Sequence, residues 1–205
     1  GITANDFPMF IDMAENDINT VYITGSNNIN VPIVMKTTNA GTSWAHTFIT
    51  ANNQNIITGW SGQGGDRGWS YGKCPFGFDV CATNKDVIVF GDFGFAHKTN
   101  NGGTTWQQAY VDISDQHPAN SPTPPNQAYN SIGIENTTCW QVHWINPTNM
   151  WSCYSDIRGI RSIDGGNAWS FNYTGHTANS SYRIAQGING TLYMGTSNIH
   201  DMYQS

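Results

Sequence analysis

The run Ser162-Ile163-Asp164-Gly165-Gly166-Asn167-Ala168-Trp169 decides how this chain folds. It has the form Ser/Thr-x-Asp/Asn-x-Gly-x-x-Trp, and the sequence writes that form twice more. The earlier copies are Thr37-Thr38-Asn39-Ala40-Gly41-Thr42-Ser43-Trp44 and Thr99-Asn100-Asn101-Gly102-Gly103-Thr104-Thr105-Trp106. Asn or Asp ahead of Gly makes a tight turn, because the Asx side chain bonds nearby amides and Gly accepts positive φ. The first-position hydroxyl closes the same turn, and the Trp opens the next strand with a large apolar surface. Asn39, Gly41 and Trp44, Asn101, Gly103 and Trp106, and Asp164, Gly166 and Trp169 are therefore expected to be structural.

Working outward, Thr37 to Thr99 is 62 residues and Thr99 to Ser162 is 63. A period of this order signals one supersecondary unit per repeat. Ahead of each turn an apolar strand, an Asx-rich turn, a second strand, a loop and a third strand follow in the same order. Phe7–Met13 precedes Thr20–Thr24, Pro75–Val80 precedes Asp86–Phe90, Trp140–Ile145 precedes Met150–Tyr154, and Tyr182–Ala185 precedes Thr191–Met194. The strand after each Trp completes four per unit, the content of a propeller blade. The expected fold is all-β: four-stranded antiparallel blades, roughly three and a half of them. They form one partial domain over 1–205, with units at about 7–58, 75–125, 139–175 and 182–205. Met202-Tyr203-Gln204-Ser205 aligns with Gly159-Ile160-Arg161-Ser162, so the chain reads as a piece of a longer propeller. Its remaining blades would come from another chain, from unseen sequence or from self-association.

Blade order places the three turns together on one side, which suits structure better than chemistry. The opposite side collects the long segments Thr50–Lys73 and Gln107–Thr138, together with Ser26–Pro32, Asp92–Phe95, Asp156–Gly159 and Ser197–Asp201. Long loops in compact folds are usually functional or disordered.

Composition narrows the class. Eight Lys and Arg against fourteen Asp and Glu give a net charge of -6, with no basic run. That argues against nucleic acid and anionic membrane surfaces. No apolar stretch approaches the roughly 20 residues a span requires. Gly1 stands where an initiator Met would, so a processed or trimmed chain is expected. Low Lys content, four Cys and the sequons at Asn136, Asn172, Asn179 and Asn189 fit a secreted glycoprotein. Cys139 and Cys153 fall at one end of two antiparallel strands, so a cross-strand disulfide is expected. Cys74 and Cys81 stay open, being about 23 Å apart along an extended strand. No metal-ligand spacing of the C-x-x-C or H-E-x-x-H kind occurs, the six His do not converge, and no cofactor is expected.

The repeated turns and the strands before them resemble the Asp-box (sialidase-type) repeats of secreted β-propellers. Within that group the chain is most similar to family 74 glycoside hydrolases, whose Asp-containing turn precedes a box of this kind. Ser155-Asp156-Ile157-Arg158-Gly159-Ile160-Arg161-Ser162 looks like that arrangement, and Gly91-Asp92-Phe93-Gly94 is a looser copy. The resemblance implies Asp156 and Asp92 as carboxylates for inverting cleavage, which needs two of them about 6.5–9.5 Å apart. In the family the second carboxylate comes from a second propeller, which this sequence lacks. Either Asp can instead cap its own loop.

Trp60 and Trp69, with Arg67 in a Gly-rich loop and Arg158, are the substrate-binding candidates; for the two Trp, sugar stacking and core packing stand level. Core packing is expected of Trp140, Trp144 and His143, on an inner strand. Sialidase activity is disfavoured: four arginines, one in a turn-bearing strand, do not supply the triad. Two classes remain, a polysaccharide-active protein and a non-catalytic propeller that binds glycan or protein or builds an extracellular assembly.

Overall fold

The computed structural model describes residues 1–92, 94–132 and 137–198. The sequon at Asn136, His200 and the Met202–Ser205 stretch lie outside the described residues, as do Phe93 and the end of the Ser197–Asp201 loop.

The fold is all-β and propeller-like. The first sheet runs β1 (Asp6–Asp12), β2 (Val21–Asn27), β3 (Pro32–Thr37) and β4 (Ala45–His46), each antiparallel to its neighbour in chain order. The second sheet repeats the meander with β6 (Gly77–Val80), β7 (Ile88–Gly91), β8 (Ala96–Thr99) and β9 (Trp106–Gln108). The third repeats it with β11 (Cys139–Trp144), β12 (Met150–Tyr154), β13 (Gly159–Ser162) and β14 (Trp169–Ser170). A hairpin of β15 (Ser180–Gln186) and β16 (Leu192–Ser197) starts a fourth.

Two short strands that the repeat does not announce widen the sheets. β5 (Ile56–Ile57) adds in parallel outside β9, and β10 (Ala128–Tyr129) adds antiparallel outside β14. Both come from the long connections, so part of each connection is sheet. Where the sequence reading treats 1–205 as one domain, packing separates two compact units. One is built on Gly1–Pro124, the other on Pro125–Ser131 and the chain from Thr137.

The three turns share one hydrogen-bond pattern. Thr37 Oγ1 accepts from the amides of Asn39 (3.3 Å) and Gly41 (3.0 Å), and Asn39 Oδ1 accepts from the amide of Ser43 at 2.9 Å. Thr99, Asn101, Gly103 and Thr105 repeat these bonds, as do Ser162, Asp164, Gly166 and Ala168. Gly41, Gly103 and Gly166 have φ of 86°, 84° and 94°, where an L side chain is strained.

The first unit's core joins its two sheets through Tyr22, Val34, Phe48, Ile56, Ile88, Phe90 and Trp106. Phe48 sits edge-on to Phe90 at 5.0 Å and to Trp106 at 5.6 Å. In the second unit Trp151, Cys153 and Ile184 form the core, with Tyr173 and Met194 against it.

The expected Cys139–Cys153 disulfide is corrected: all four cysteines are free. A register shift between Cys139 and Gln141 puts Cys139 opposite Tyr154 and gives Cys153 to Gln141. Cys139 Sγ meets Ser152 Oγ at 3.2 Å instead. Burial raises the Cys153 thiol pKa.

Candidate functional site

The side chains that gather chemistry at an accessible surface lie around the Asp156 loop of the second unit. The chain leaves β12 at Tyr154 and must reverse into β13 at Gly159. It does so with Asp156 at φ 63° and Arg158 at φ 70°, a conformation that Asp tolerates better than most residues. The strain is held from several sides. The Ser155 amide donates to the Thr138 carbonyl at 3.1 Å, the Asp156 amide to Ser180 Oγ at 3.1 Å, and the Arg158 amide to the Asn179 carbonyl at 2.9 Å. Ser181 Oγ donates to the Arg158 carbonyl.

Asp156 itself is exposed, and its Oδ1 accepts from Asn179 Nδ2 at 2.9 Å. Beside it stands Trp140, whose Nε1 donates to Ser155 Oγ at 2.8 Å. Its ring packs edge-on to Tyr182 at 5.4 Å, and the residue keeps 39% of its surface exposed. The indole is thus locked in orientation yet open to solvent. An exposed oriented aromatic, a carboxylate and an amide form a surface suited to hydroxyl-rich ligands.

The other candidates fall elsewhere. Asp92, expected as a catalytic carboxylate, is fully buried in the first unit. Its Oδ2 meets His97 Nε2 at 2.9 Å and its Oδ1 accepts from the Phe95 amide at 3.0 Å. Phe48, Phe90 and Phe95 surround His97. No substrate reaches this carboxylate; it ties its own loop to a core histidine.

Trp60 is buried, edge-on to Phe95 and Trp69 and tilted against Tyr110, so of its two readings the core one holds; Trp69 is half-buried against it. Arg67 sits at φ 61° in the tight turn Asp66–Gly68, of the same unit. Trp140 and Trp144, expected inside, are 39% and 54% exposed, because β11 is the edge strand of its sheet. His143 is half-buried on the same strand, and its Nε2 has no hydrogen-bond partner among the described residues. Asn172 and Asn189 are exposed, whereas the Asn179 amide nitrogen is engaged by Asp156 and Ser180.

Sequence reasoning missed two features. One is Trp140 as a surface ring; the signal was its place one residue into an edge strand. The other is Asn53, fully buried, whose side chain bonds the Gln63 and Ser121 carbonyls, the Gln63 amide and the Tyr71 hydroxyl. Within the first unit it ties the Gln63 stretch of one long connection to Ser121 in the other.

No family model matches the sequence, and no curated protein matches it. Solved structures do. One described as YCF48 bound to D1 peptide is 12% identical, over 88% of this chain and 73% of its own, with a TM-score of 0.28. YCF48 from Cyanidioschyzon merolae is 13% identical over 97% of this chain and 95% of its own, at 0.27. An ancestral GH74 enzyme is 14% identical over 96% of this chain and 28% of its own, at 0.34. At such values the functional reading rests on this chain's own residues.

Proposed function

We propose that this chain is a secreted, non-catalytic Asp-box propeller module that binds extracellular polysaccharide through the Trp140–Asp156 surface. The observation that carries the reading is the locked, exposed indole of Trp140 beside the exposed Asp156 carboxylate. Sugar faces stack on such rings, while carboxylate and amide groups take up the hydroxyls. Hydrolysis with inversion needs a second carboxylate facing the first across the bond. Asp92 is buried with His97 and does not serve, so binding is favoured over cleavage.

Titration of soluble β-glucans such as xyloglucan oligosaccharides, followed by indole fluorescence and calorimetry, tests this. Trp140→Ala is expected to weaken binding on the order of tenfold, with no reducing sugar released by wild type or variant. Binding unaffected by Trp140→Ala removes the surface from the reading. Sugar release that Asp156→Asn abolishes replaces binding with catalysis.

A further inference from the structure

Trp140 is the residue of β11 that the sheet register passes over. Cys139 stands opposite Tyr154 and Gln141 opposite Cys153, so one step along β12 is matched by two along β11, and the extra residue is Trp140. A bulge of this kind bends the strand and re-aims a side chain, and bulges collect beside functional sites. It also removes the neighbour across the ladder that would fix the ring's direction. The direction must then come from side-chain contacts, and two are present. Tyr182 lies edge-on at 5.4 Å, and Ser155 Oγ accepts from the indole Nε1 at 2.8 Å. The hydrogen bond is the directional one: it pins the N–H edge to a single atom, whereas an edge-on ring contact tolerates sliding.

Ser155 is itself gripped by the same stretch of chain. Its amide donates to the Thr138 carbonyl at 3.1 Å, and its carbonyl accepts from Thr137 Oγ1 at 2.8 Å. Amide, carbonyl and hydroxyl thus all go to residues 137–140, and the next residue in the chain is Asp156. One half-buried serine therefore ties the bulged ring to the loop that carries the carboxylate. The bond has a chemical consequence as well. An indole has one donor, and here it is spent on Ser155. Asn179 Nδ2 is likewise engaged, by Asp156 Oδ1 at 2.9 Å and Ser180 Oγ at 3.3 Å. Trp140 and Asn179 therefore offer a ligand a ring face and a carboxamide oxygen, which suits a partner rich in hydroxyl donors.

We propose that Ser155 is the positioning residue of this surface: its hydroxyl sets the bulged indole so that Trp140 meets a sugar by its face and not by its N–H. The inference rests on the glycan-binding reading above and adds what orients the ring within it.

Two measurements on the full chain test it. The first needs no ligand: the Trp140 indole N–H signal, assigned by its loss in Trp140→Phe, is followed by NMR. Ser155→Ala is expected to move that signal and speed its exchange with water, and Ser155→Thr to restore it. The remaining indole signals, unmoved, show that the variant is folded. The second is titration with xyloglucan oligosaccharides. Ser155→Ala is expected to weaken binding about fivefold, and Ser155→Thr to bind as wild type does. In the Trp140→Phe background Ser155→Ala is expected to add nothing, since the two act as one unit. A serine that touched the sugar itself, or served the fold alone, would weaken that background too. An indole signal unmoved by Ser155→Ala, or an equal loss of affinity in both backgrounds, overturns the proposal and leaves the glycan reading standing. Wild type that binds no oligosaccharide removes both.

Discussion

At the residue scale, the same side-chain oxygen does the same work at three positions and in two chemical forms, carboxamide and carboxylate. Asn39, Asn101 and Asp164 each accept the amide four residues on, but the third is ionisable. The Ala168 amide and then the Ser162 hydroxyl hold the Asp164 carboxyl below the ordinary carboxylate range. A depressed folded pKa gives stability that is present above the unfolded value and lost as pH falls through the folded one. Asp164→Asn is therefore expected to flatten the acid end of the stability–pH curve, measured by denaturant unfolding below about pH 4, while leaving neutral-pH stability little changed.

Asp92 makes a separate residue-scale prediction. Removing its carboxylate leaves His97 and the Phe95 amide buried without that partner, so Asp92→Ala should cost the first unit about 3–5 kcal/mol in urea unfolding. Normal stability in that variant would contradict a structural role. Asn53→Ala strands several buried polar groups and should cost about 3 kcal/mol by the same measurement.

At the element scale, edge position outweighs residue type. β11 carries Trp140, Val142 and Trp144, an apolar set that reads as core, yet all three are exposed because the strand has a partner on one side alone. β2 and β3 are flanked on both sides, and Tyr22, Val34 and Met35 are buried. The Cys139 bulge belongs to the same strand. Alkylation without reductant, in denaturant, is expected to add four labels per chain by mass spectrometry; two labels would restore a disulfide. In the native state Cys139 should react well before Cys153, which is buried and has its thiol pKa raised. Trp106, fully buried between the two sheets of the first unit, is the opposite extreme. Trp106→Ala should destabilise that unit by about 3–5 kcal/mol.

At the scale of the whole molecule, the repeat gives each unit a core built from the same strand order. The Phe48–Phe90–Trp106 contacts bring successive sheets of the first unit together by burial, and Lys36 on the Gly102 carbonyl fixes where the turn lands. The loops opposite the turns differ in what they leave accessible. In the second unit Asp156 is exposed, whereas in the first unit the Thr50–Lys73 segment spends Trp60 and Asp66 on its own packing. A cavity lined by Arg161, Asn149 and Trp151 lies at the turn end of the third sheet, which no motif in the sequence marks.

Local chemistry was enough to write the strand order. Each Asx-Gly turn closes with bonds inside eight residues, so it forms wherever it is spelled, and the alternating strands around it follow. The exposed Asp156 loop was legible for the same reason, since its spacing to the next turn is short. Burial was not legible, because it depends on which strand ends at an edge and which ring meets a neighbour. Asp92 and Asp156 occupy matching positions in their repeats, and tertiary packing alone put aromatic rings around the first and left the second in water.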